Sequence, residues 1–222
     1  MKPRIALFDL DNTLLTGDSD VLWCDFLMNE GVLDRSRFAA RNADMEARYK
    51  AGTVSAQGFA GFYLETVKGR TPESLEDLRR RFLREVVAPR ISHDATDLVR
   101  RHRDAGEHCV ITTATSRFIT ELTASHLGIE HLIAIEPEIA QGVFTGRANG
   151  VLNMREGKVA RLHDWLQARG EKLGDYASIA YSDSINDRPL LEAVDEAVVV
   201  DPDAKLLAVA LERGWRVVRL AR

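Results

Sequence analysis

The chain has 222 residues, 45% hydrophobic and 29% charged, with a formal net charge of −4. That length holds one good-sized domain, or a core domain with a smaller insert, and carries enough apolar material for a sizeable core. The acidic balance excludes a general attraction to nucleic acid or anionic membrane, no apolar stretch approaches the ~20 residues of a membrane span, and only two cysteines, Cys24 and Cys109, argue against a disulfide framework.

The first apolar run, Ile5-Ala6-Leu7-Phe8, reads as a buried strand and stops on Asp9 and Asp11. These two share a side of the chain, and like charges crowd there unless a cation or a shared proton relieves them. A divalent metal held by carboxylate and carbonyl oxygens is the ordinary remedy. The blander alternative is a polar loop in which Asp11 or Thr13 caps the next helix. From residue 15 to 88 no convincing strand appears. Helical spacing is clearest at Phe59, Phe62, Tyr63 and Val67, and again at Leu75, Leu78, Phe82 and Val86. An all-α insert over 15–88, between core segments 1–14 and 89–222, would sit above the strand ends as a lid. Arg79-Arg80-Arg81 and Arg100-Arg101 read as solvated helix faces.

Beyond residue 88 strands and helices alternate. Strands are expected at 109–112, 132–135, 178–181 and 197–200, with an edge strand at 216–220 and a glycine-marked hairpin over 141–151. The pattern predicts an α/β fold, a Rossmann-like parallel sheet with helices on both faces. Three further places carry chemistry. Thr112-Thr113-Ala114-Thr115-Ser116 offers hydroxyls and N–H groups before a helix, as a phosphate cradle or as plain caps. Lys158 opens a helix, where the dipole disfavours a cation; it either has an anionic partner or is an ordinary exposed lysine. Asp183 and Asp187 follow a strand, with Asn186 between them and Pro189 opening the next helix; Asp187 as an N-cap is the alternative.

In this order the four segments resemble the haloacid dehalogenase-like hydrolases, whose signatures are a D-x-D-x-T strand end, a Ser/Thr strand end, a lysine and a paired-aspartate loop. The helical insert places the likeness in the phosphoserine phosphatase-like branch. The resemblance implies that Asp9 is a nucleophile forming an aspartyl-phosphate and that Asp11 is the general acid and base. It implies that Mg²⁺ is held by Asp9, the Asp11 carbonyl and Asp183, that Thr113, Ala114 and Lys158 bind the phosphoryl group, and that Asn186 and Asp187 support the metal loop. The expected partner is a small phosphorylated metabolite, with no nucleic acid and no membrane, and a cytoplasmic monomer or homodimer is expected.

There are four departures from the family pattern, of which the last two bear on substrate. Ser182 stands where the metal loop usually has glycine, and Thr113 where the second signature has serine. Ala114 and Thr115 replace two glycines of true phosphoserine phosphatases. Asp18 stands where a longer acid usually meets a substrate amine, and it also fits a helix N-cap. The expected reaction is Mg²⁺-dependent hydrolysis of a phosphomonoester, with amino-alcohol phosphates such as histidinol phosphate or phosphoserine as candidates. Transfer to an organic acceptor, and a non-catalytic binding protein retaining the fold, are the competing readings.

Overall fold

The computed structural model describes residues 2–221. Seven strands form one sheet: β1 (Arg4–Phe8), β2 (His108–Ser116), β3 (His131–Ala140), β4 (Val143–Asn149), β5 (Ala177–Ser182), β6 (Glu196–Val200) and β7 (Arg216–Val218). Their order is β4-β3-β2-β1-β5-β6-β7, and every neighbouring pair is parallel except β3 with β4. Nine α-helices are present among the described residues: α1 (Ser19–Asn29), α2 (Arg35–Ala51), α3 (Ala56–Leu64), α4 (Glu76–Phe82), α5 (His93–Asp104), α6 (Arg117–His126), α7 (Glu156–Gln167), α8 (Arg188–Ala193) and α9 (Ala204–Arg213).

Strand β1 lies at the centre and is wrapped on both faces. Ala6 and Phe8 share one core with Val99 of α5 and Ile119 of α6. Ile5 and Leu7 share the other with Leu162 of α7, Leu191 of α8 and Leu206 of α9. This explains a continuous apolar run rather than an alternating one, and each large side chain so buried contributes roughly 1.5–3 kcal/mol. The expected strand at 109–112 extends to Ser116, through a register irregularity after Thr112, because the β-branched threonines suit extended backbone. The glycine-marked hairpin is β3–β4, turning at Gln141 and Gly142, both with positive φ.

Between β1 and β2 every regular element is helical. Trp23, Phe26 and Phe82 join the core under β1 and β2. Met45, Val54, Phe59, Phe62 and Tyr63 form a separate cluster among α2, α3 and their connection. One expectation for this stretch is corrected. Arg79 is not on a solvated face: its guanidinium lies 4.9 Å over the Phe118 ring and donates to the Phe118 carbonyl at 3.1 Å. Packing of α4 against α6 buries its stem, whereas Arg80 stays mostly exposed.

Candidate active site

The parallel arrangement brings the carboxyl ends of β1, β2 and β5 together, the side of an α/β sheet where ligands bind. Asp9 continues β1, with its N–H donating to the Tyr181 carbonyl at 2.9 Å. Its side chain is buried. Oδ1 accepts from Lys158 Nζ at 2.7 Å, and Oδ2 from Thr13 Oγ1 at 3.2 Å. Burial pushes the Asp9 carboxyl up to about 7 against the pull of Lys158.

Lys158 is the third residue of α7 and is also buried, which overturns the exposed-lysine alternative. Its ammonium bridges Asp9 and Asp187, the latter at 2.6 Å. Burial opposes its charge, but Asp187 and Asp9 outweigh it and hold the lysine protonated. The turn before it needs glycine: a Cβ on Gly157 would overlap the Leu152 carbonyl oxygen. Asp187 does not cap α8 through its side chain. It faces Lys158 and accepts from Ser182 Oγ. The capping alternative therefore fails for Asp187 because the nearby ammonium takes the carboxylate.

Asp11 is held on both oxygens. Oδ1 accepts from the Ser19 N–H at 2.7 Å and from the Ser19 hydroxyl. Oδ2 accepts from Thr115 Oγ1 at 2.8 Å and Thr113 Oγ1 at 3.4 Å. Burial raises its pKa while these donors lower it. Thr113 is wholly enclosed, so its hydroxyl serves Asp11, while Ala114 and Thr115 line the cavity above. Asp18 caps α1, accepting the Asp20 and Val21 N–H groups on Oδ1, and it also lines that cavity. Burial and then Asp11 raise it to about 7.

Asp183 meets Asp9 through one hydroxyl: Thr13 Oγ1 lies 3.0 Å from Asp183 Oδ1. A single hydroxyl proton satisfies one of those two carboxylates. Burial, then Asp9, lifts Asp183 well above the usual carboxylate range. The Lys158 ammonium thus serves Asp9 and Asp187, while Asp183 has the Thr13 hydroxyl. Among the described residues no three acidic, His or Cys side chains converge on one point, but the Asp9 and Asp183 carboxylates, joined by Thr13, are hard oxygen donors of the kind a divalent cation of the Mg²⁺ type takes, with a backbone carbonyl to complete the set.

Three residues that sequence reasoning missed, Ser19, Asn153 and Arg155, complete the arrangement together with Thr115, whose hydroxyl, expected in a phosphate cradle, serves Asp11 instead. Ser19 and Thr115 hold Asp11. Asn153 Nδ2 reaches the Thr113 and Ile133 carbonyls at 2.9 and 3.0 Å and Thr112 Oγ1 at 3.0 Å, pinning the segment before Lys158 to β2 and β3. Arg155 Nε donates to Asn186 Oδ1 at 3.2 Å. The cavity over this site measures about 360 Å³, and the rings of Tyr49 and Phe59 form part of its helical wall.

The chain belongs to the haloacid dehalogenase-like hydrolase family, whose model matches residues 6–192. It is 37% identical over 216 residues to a histidinol-phosphatase of Neisseria meningitidis serogroup C (strain 8013), covering 96% of this chain and 97% of that one. It is 31% identical to phosphoserine phosphatase SerB1 of Mycobacterium tuberculosis (strain ATCC 25618 / H37Rv), covering 98% of this chain and 71% of that one. A crystal structure of a protein with unknown function from Bordetella pertussis Tohama I superposes with a TM-score of 0.93 at 43% identity, over 98% of this chain and 99% of that one. Among the described residues no helix is long and apolar enough to cross a membrane.

Proposed function

We propose that this hydrolase is a Mg²⁺-dependent phosphatase that cleaves a small phosphomonoester of a cationic alcohol, with histidinol phosphate favoured over phosphoserine. The reading rests on one observation above all: Asp9 stands against Lys158, with Asp11 two residues on and held at both oxygens. Asp9 attacks phosphorus, the bond to the alcohol oxygen breaks, and that oxygen takes a proton from Asp11. Asp11 then accepts a proton from water as the water oxygen attacks phosphorus and frees Asp9. An acid whose pKa is raised by burial suits the first step, and fixed donors on both oxygens suit the second. Lys158 neutralises charge on the transferring group. Asp9, Asp183 and the Asp11 carbonyl would hold Mg²⁺, which supplies further charge neutralisation.

The preference for a cationic leaving group follows from the cavity wall. No arginine or lysine is among the described residues lining it, while Asp18 keeps Oδ2 beyond its capping bonds and two aromatic rings stand nearby. An ammonium or imidazolium meets a carboxylate and π-faces there; a leaving group bearing a carboxylate meets like charge. We further propose that residues 15–88 act as a cap, since Asp18, Tyr49 and Phe59 roof the cavity.

Phosphate release from a panel of small esters tests this, with Mg²⁺ or EDTA. Histidinol phosphate should exceed phosphoserine by about tenfold or more in kcat/KM, with EDTA removing both activities. Preference for phosphoserine would sink the cationic reading. Phosphorylated products formed from added alcohols would move the assignment to a phosphotransferase.

A further inference from the structure

Arg155 occupies a backbone seat that its side chain should avoid. Its φ of 53° and ψ of −124° put it at the first central position of a turn closed by the Gly157 N–H on the Met154 carbonyl, 2.9 Å. This is the mirror-image turn in which glycine is the favoured occupant, because a Cβ crowds the backbone at positive φ. A side chain kept in such a seat points to work done by its contacts.

The contacts link the paired-aspartate loop to the α2–α3 connection, and Arg155 itself stands outside the cavity lining. Arg155 Nε donates to Asn186 Oδ1 in the paired-aspartate loop at 3.2 Å. Its NH2 group donates to the Val54 carbonyl, in the connection between α2 and α3, at 3.4 Å. The residues beside it act in the same sense. Asn153 is fastened to β2 and β3, and Met154 is buried among Met45, Val54 and Phe59. Three consecutive residues, Asn153 to Arg155, thus join the sheet, the helical wall and the paired-aspartate loop shortly before Lys158.

We propose that Arg155 is a positioning residue that sets the helical wall of the cavity, carrying Tyr49 and Phe59, against the loop bearing Asp183, Asn186 and Asp187. It touches neither phosphorus nor the leaving group; it acts through Val54 and Asn186. The planar fork of an arginine reaches two acceptors that a lysine's single ammonium does not span in the same geometry. This deepens the phosphatase reading and, for its kinetic part, rests on it.

Two variants separate the side chain's contacts from its strained seat. Arg155→Gly relieves the backbone and removes the contacts; Arg155→Lys keeps the crowded seat without the fork. The expected result for Arg155→Gly is a Tm at or above wild type, with amide exchange over residues 52–57 faster by about fivefold or more. KM for the preferred ester should rise about tenfold while kcat changes by less than about threefold. Arg155→Lys should show the same loosened exchange with a Tm below that of Arg155→Gly. Unchanged exchange over 52–57 in Arg155→Gly would overturn the proposal. So would a Tm loss in Arg155→Gly as large as in Arg155→Lys, which would make the arginine a prop of the fold. A wild-type protein that hydrolyses no ester would remove the phosphatase reading alone, since exchange and Tm still decide the role of Arg155.

Discussion

The Ser182 hydroxyl donates to Asp187 Oδ2 across 2.8 Å, inside the loop where the resembling family usually has glycine at this point. The same hydroxyl accepts the Ser184 N–H at 3.3 Å. The departure is therefore compensated locally: the side chain that replaces hydrogen fixes the carboxylate that holds Lys158. Asp187 receives two donors on one oxygen, an ammonium and a hydroxyl, and both are buried.

Ser182→Gly should therefore weaken this protein even though it restores the commoner residue. Loss of a buried hydrogen bond costs roughly 0.5–1.5 kcal/mol. Urea unfolding should show a drop of that order, with a several-fold fall in turnover as Asp187 loosens. Unchanged midpoint and turnover would mean that the hydroxyl does not organise the loop.

Asp9→Asn tests the nucleophile. The amide oxygen still accepts from Lys158, and the amide NH2 can donate to Thr13 Oγ1, which keeps its bond to Asp183; the fold should therefore persist, while turnover should fall by about a thousandfold or more because an amide does not attack phosphorus. Circular dichroism and phosphate release on the same preparation check both halves. Substantial residual hydrolysis would move the covalent step away from Asp9.

Lys158→Met removes the one ammonium between Asp9 and Asp187. Stranding buried carboxylates in this way costs about 3–5 kcal/mol. The loss should be greater near pH 8 than near pH 5, where Asp9, already raised by burial, escapes by taking up a proton. Urea unfolding at the two pH values reads the difference, and a variant as stable as wild type at both would contradict the buried triad.

The parts legible in the sequence were those in which charge is expensive to place. Asp9, Asp11, Asp183 and Asp187 stand at the ends of apolar runs, and Lys158 stands at a helix start, so each departs from what local structure favours. Ser19, Thr115 and Asn153 carry no such mark, since hydroxyls and amides are common in caps and turns. Their roles arise only when the chain brings β2 onto the loop before α7: Asn153 finds Thr112, 41 residues away. Helix α2 was equally hidden. It is polar along most of its length, with no strong apolar stripe, yet it delivers Tyr49 to the cavity.

Asp183 gives the most diagnostic link between metal and pH. Without a cation, burial holds the Asp9 carboxyl near 7 and Asp183 well above the usual range. Between the ordinary carboxylate pKa and the raised value, the folded chain binds more protons than the unfolded chain. This contribution to stability is therefore full below the ordinary pKa; Asp9's share is lost as pH rises through about 7, and Asp183's as pH rises through its own raised value. A divalent cation favours the ionised carboxylates, so Mg²⁺ should raise Tm more at about pH 8 than at about pH 5. Asp183→Asn removes one buried negative charge and keeps an acceptor for Thr13. Its Tm in EDTA at the higher pH should exceed that of wild type, and the Mg²⁺-induced rise should shrink or vanish. Thermal unfolding of both proteins, in EDTA and in Mg²⁺ at the two pH values, decides the matter. An Asp183→Asn variant that keeps the full Mg²⁺ response would place the cation elsewhere.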